Sequence, residues 1–83
     1  MREDVPKDLL YMKRVYGWLY SKDGMGLVAA ADEGDVQCKE LLRKLTTHIN
    51  TIEFFQLNDN FGRAHYEVEQ LKVWFNPIMS KEH

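Results

Sequence analysis

Between Val36 and Gln56 the residues Cys38, Leu41, Leu42, Leu45, Ile49 and Ile52 recur at three- and four-residue intervals. At 100° per residue they form one stripe, with Glu40, Arg43, Lys44, Thr47 and Thr51 opposite, an arrangement that a strand cannot reproduce. Asp35, just before the stripe, has the short carboxylate that caps the free N–H groups of a first turn. Glu40 and Lys44 stand in the favourable i,i+4 order, worth about 0.2–0.5 kcal/mol. Only Phe54 breaks the pattern, falling among the threonines. This segment must be an amphipathic helix, and the rest of the chain has to cover its apolar stripe.

The flanking punctuation supplies helices to do so. Pro6 suits a first helical turn, and Asp8 nearby complements the helix dipole, so a helix is expected from Pro6 or Lys7 to about Ser21. The stretch Ser21-Lys22-Asp23-Gly24-Met25-Gly26 has the composition of a turn. Leu27–Ala31 then reads as a short helix that Gly34 closes in a left-handed conformation. A second turn falls at Asn58-Asp59-Asn60, and a last helix runs from Phe61 or Gly62 to about Phe75, because Pro77 disfavours helix at Asn76. The tail from Ser80 to His83 is expected to fray. The resulting fold is all-α, a bundle of three long helices and one short one, broadly antiparallel, forming one domain over residues 1–83. The competing solution is an α+β fold with a β-hairpin at 16–29, in which Tyr16–Tyr20 and Met25–Ala29 flank an Asp-Gly turn. The alanine triplet Ala29–Ala31 favours helix.

Composition narrows the functional classes. A chain of 83 residues allows one thin core, since a domain this small buries about 60–65% of its unfolded surface. With 11 basic and 13 acidic side chains the net charge is −2, against the clustered cations of a phosphate-binding surface. No apolar run approaches the ~18 residues of a membrane span. The start, Met1-Arg2-Glu3-Asp4, is too polar for a signal peptide, and the single cysteine suits a reducing compartment, so a cytoplasmic location is expected.

Catalytic and metal signatures are sparse. Cys38, His48 and His65 are ten and seventeen residues apart, without C-x-x-C or H-x-x-x-H pairing, and no metal or cofactor is expected. Ser21 and Ser80 fall in a turn and a tail, Cys38 shares the core stripe, and no catalytic residue is assigned. The acids Asp32, Glu33 and Asp35 are explained by helix ends. Ala30 and Gly34 have the spacing of a DNA-binding helix-turn-helix, but Glu40 and Arg43 then stand where apolar residues are required. The string Ala29-Ala30-Ala31-Asp32-Glu33-Gly34-Asp35, followed by Leu41-Leu42, locally resembles the helix-turn-helix of an ankyrin repeat. It lacks the Thr-Pro-Leu-His signature and never recurs, so it implies no solenoid.

The first and last helices each show two apolar faces. In the first, Leu9, Met12, Val15, Tyr16 and Leu19 form the expected core stripe, leaving Tyr11, Arg14 and Trp18 on the far side. In the last, Phe61, Ala64, Val68, Leu71 and Phe75 face the core, with Tyr66 and Val73 opposite and Trp74 at the edge. Tyr, Trp and Arg dominate interface hot spots, so Tyr11, Arg14, Trp18, Tyr66, Val73 and Trp74 are the expected partner-binding residues. The expected function is non-catalytic protein–protein interaction, as an adaptor, an immunity-type inhibitor, a phage-encoded modulator of a host enzyme, or a homodimer. The alternative is a small nucleic-acid-associated regulator, which would need Lys13, Arg14, Lys39, Arg43 and Lys44 on one face.

Overall fold

The computed structural model describes residues 4–80, and the expected frayed tail beyond Ser80 lies outside them. Four helices follow one another: α1 (Asp4–Leu19), α2 (Lys22–Asp32), α3 (Val36–Leu57) and α4 (Phe61–Ser80). Among the described residues there is no strand, and 16–29 is the end of α1 followed by most of α2. The hairpin alternative is thereby excluded. Its Asp-Gly pair lies instead in the first turn of α2. Ser21 caps that helix, its side chain accepting from the Gly24 N–H, with Asp23 placed to favour the dipole. Gly24 is needed there for packing. A Cβ at this position would overlap the Trp18 and Leu19 carbonyl oxygens, so only glycine lets α2 start against the end of α1.

The remaining helix ends follow local chemistry. Gly34 adopts φ 108°, while the N–H groups of Asp35 and Gly34 donate to the carbonyls of Ala30 and Ala31, the paired bonds of a Schellman ending. Asp59 plays the same part after α3 with φ 57°, and Asn60 and Asp59 donate to Phe55 and Gln56. Asp35 caps α3 through the Cys38 N–H at 3.1 Å. The largest difference from expectation is α4, which continues through Pro77 to Ser80. Proline removes one bond to the Val73 carbonyl, but Val73 is exposed, while Ile78 and Met79 pack on the core and hold the last turn in place.

The helices are not uniformly antiparallel. Asp8 meets His65, Tyr11 meets Asn76 and Trp18 meets Phe75, so α1 and α4 run in the same direction. By contrast α3 opposes α4: its Lys44 and His48 lie against Trp74, and its Phe55 lies against Arg63. The short α2 links the end of α1 to the start of α3 and packs on both. The core is built from Tyr11, Met12, Val15 and Trp18 of α1, Leu45, Ile49 and Ile52 of α3, and Val68, Leu71 and Phe75 of α4. The α3 stripe is the expected one, with Cys38, Leu41 and Leu42 only partly buried at one end, and the α4 stripe keeps Ala64, Val68, Leu71 and Phe75 but leaves Phe61 only partly buried. The α1 stripe is not the expected one. Among the described residues no helix is long and apolar enough to cross a membrane.

Candidate functional site

The six residues expected on one surface are divided among three environments. Tyr11 and Trp18 are core residues, 5% and 9% exposed, so the expectation that they face outward is corrected. Helix α1 is turned by about 60° from the stripe inferred from sequence, keeping Met12, Val15 and Leu19 inward and exchanging Leu9 for Tyr11 and Trp18. The physical reason lies on α4. The Tyr11 hydroxyl donates to Asn76 Oδ1 at 2.8 Å, and Trp18 meets the Phe75 ring edge-on at 5.1 Å. Two aromatic rings bury more area than one leucine and here also find their preferred geometry. Burial pushes the Tyr11 phenol up to about 12, with Arg14 pulling it back and Glu69 adding to the rise.

Arg14 is exposed and separates two shallow hollows along the α1–α4 seam. One, of about 260 Å³, is lined by Lys7, Leu10, Tyr11, Arg14, Lys72 and Asn76. The other, of about 250 Å³, is lined by Arg14, Gly17, Trp18, Ser21 and Met79. Tyr66 and Val73 are exposed on the outer side of α4, as expected. Trp74 is half-buried in a different seam, its ring tilted at 58° to that of His48 and beneath Lys44 Nζ at 4.5 Å. The structure therefore brings Arg14 beside Tyr11 and Trp18, and leaves Tyr66, Val73 and Trp74 apart from them.

A third opening, of about 530 Å³, lies where α1, α3 and α4 meet near the α3–α4 turn, lined by Leu9, Glu53, Gln56, Leu57 and Phe61. Leu9 is 51% exposed and Leu57 85%. Phe54, one helical turn before Leu57, is also exposed and packs edge-on against Phe55. Apolar residues from three helices thus converge on open space, with Glu53 and Gln56 at hand as polar neighbours. Glu53 is held in place by the Tyr16 hydroxyl, which donates to its carboxylate. Sequence reasoning missed this cleft because it placed Leu9 and Phe61 in the core. The one available signal was Phe54, which broke the α3 stripe.

Polar chemistry elsewhere is mostly spent locally. The hydroxyls of Ser21 and Ser80 donate to the carbonyls of Trp18 and Asn76 at 2.5 and 2.6 Å. Desolvation and the neighbouring Asp35 carboxylate raise the Cys38 thiol, away from the thiolate a nucleophile requires. His48 Nδ1 stands 3.7 Å from Glu67, beyond hydrogen-bonding reach. His65 Nδ1 lies 2.9 Å from the buried carboxylate of Asp8, and Glu69 is one turn further along α4. Cys38, His48 and His65 do not form a cluster of metal donors; the donor group that includes His65 consists of Asp8, His65 and Glu69. No known family model, curated protein or solved structure matches the chain.

Proposed function

We propose that the chain is a non-catalytic protein–protein interaction domain, acting as an adaptor or inhibitor of the protein it binds, through the apolar cleft of Leu9, Leu57 and Phe61. The observation that carries this reading is the exposure of leucines from two helices around the widest of these three openings. Apolar side chains gathered beside polar neighbours have the anatomy of an interface centre and rim. The occupant that fits is an amphipathic helix of another protein. Its apolar side chain would enter between Leu9 and Leu57, while a basic residue beside it would complement Glu53. Covering Leu57 alone is worth about 1.5–3 kcal/mol, roughly ten- to a hundredfold in affinity.

The test compares variants for the same captured partner. Leu57→Asp and Leu9→Asp should each lose it by at least tenfold while retaining the wild-type helical spectrum and urea midpoint. Val73→Asp, on the outer side of α4, should retain it. Binding unchanged in both leucine variants refutes the cleft as the contact surface. Self-association that disappears in Leu57→Asp, measured by light scattering, would instead make the occupant a second copy. The nucleic-acid alternative gains no support from the cations, because Arg14 lines the α1–α4 hollows and Lys44 lies over Trp74 in another seam.

A further inference from the structure

The donor atoms of Asp8, His65 and Glu69 lie within 4.8 Å of one another, on two helices whose contact is part of the folded bundle. We propose that these three residues bind a divalent transition-metal ion, with zinc the best fit. His65 and Glu69 are four residues apart on α4, so the helix itself sets them on one face, and Asp8 closes the set from α1. The Asp8 oxygens stand 2.9 and 3.2 Å from His65 Nδ1. Two donors on one zinc ion, each about 2.0–2.1 Å from it, are separated by roughly 3.3 Å at a tetrahedral angle. The Asp8 carboxylate would therefore shift slightly off the Nδ1 axis and Glu69 would swing inward to admit the ion, with the imidazole hydrogen on Nε2.

A carboxylate–histidine ion pair alone accounts for only part of this geometry. Asp8 is 3% exposed, and among the described residues its carboxylate is hydrogen-bonded by His65 Nδ1 only. A carboxylate has about four acceptor positions, and burying it with most of them unfilled is costly. A cation bridging Asp8 to Glu69 would fill more of them. Glu69 is paired with Lys72 at 3.0 Å, an exposed i,i+3 contact of the kind that is cheaply exchanged. Glu69 is exposed and His65 partly so, which leaves room for water to complete the coordination. One nitrogen and two carboxylates suit zinc or cobalt, whereas calcium demands six to eight oxygens.

The experiment titrates the metal-free full-length chain with Zn²⁺ by calorimetry near neutral pH, and with Co²⁺ by visible absorption. One ion should bind per chain, and His65→Gln and Glu69→Gln should each weaken it by about tenfold or more. Both changes are at partly or fully exposed positions, and the far-UV spectrum of each variant verifies the fold. Cys38→Ser and His48→Gln should bind as the wild type does. Absence of saturable Zn²⁺ binding overturns the proposal. So does wild-type affinity in both His65→Gln and Glu69→Gln, or a loss found only in Cys38→Ser or His48→Gln.

Discussion

Replacing Trp18 by alanine tests the rotation of α1 directly. The ring is 9% exposed and meets Phe75 edge-on, with centroids 5.1 Å apart and planes at 86°. Burying about 250 Å² of aromatic surface at ~25 cal/mol per Å² gives about 6 kcal/mol as an upper bound. Residual compactness of the unfolded chain lowers that by about 10–40%, to the 3–5 kcal/mol typical of Trp→Ala in a core. At about 0.05–0.15 kcal/mol per residue the whole chain is stabilised by only about 4–12 kcal/mol. Trp18→Ala should therefore lose about a quarter or more of the total, read as a lower midpoint in urea unfolding followed by circular dichroism. Trp18→Phe separates burial from hydrogen bonding. It removes an Nε1–H that is buried without an acceptor among the described residues, and keeps most of the ring. The relief of that donor, about 1–3 kcal/mol, offsets the lost area, so the change should stay below about 1.5 kcal/mol. If Trp18→Ala costs less than about 1 kcal/mol and weakens association instead, the indole is a surface group and the described packing of α1 is wrong.

Gly24→Ala should destabilise by about 1–3 kcal/mol, because its methyl group meets backbone oxygens of Trp18 and Leu19 that cannot rotate away; a wild-type urea midpoint would contradict that contact. Asp59→Gly should stabilise by about 0.5–1 kcal/mol, since φ 57° suits glycine better than an L-residue, and thermal unfolding would register the gain. Tyr11 titrates above its ordinary value of 10, so the folded state holds this proton more tightly than the unfolded one. Its contribution is intact below pH 10 and is lost as pH rises through about 12. Tyr11→Phe should remove that alkaline loss of stability, and an unchanged alkaline profile would place the phenol in water.

The helical class was legible because α3 has only one apolar face. Its stripe, its Asp35 cap and the glycine after α2 each obey a local rule, and the structure retains all three. Rules that depend on contacts between helices were less dependable. Pro77 disfavours helix locally, yet Ile78 and Met79 have partners that α4 reaches only by continuing. Asp23-Gly24 has the composition of a turn, yet the crowding of Gly24 against α1 is a tertiary constraint, and a helix N-terminus satisfies it. In both places a contact with another helix outweighed a local preference of about 1–3 kcal/mol.

The surface was less legible for a related reason. Helical periodicity gives the direction of burial only when one face is apolar, and α1 offers two candidate stripes that share Met12, Val15 and Leu19. What distinguishes them is on α4: Asn76 accepts from Tyr11, Phe75 receives the edge of Trp18, and His65 meets Asp8. None of these partners is within 55 residues of its mate, so no window of sequence contains the choice. Turning α1 toward them has two consequences. It moves Leu9 out of the core to the cleft beside Leu57, and it moves Asp8 from a helix-end carboxylate to a buried one facing His65 and Glu69. The docking surface and the metal site proposed here thus share one structural cause, the orientation of α1. A substitution that let α1 rotate back, such as Tyr11→Ala with Trp18→Ala, should close the cleft and separate the donors together.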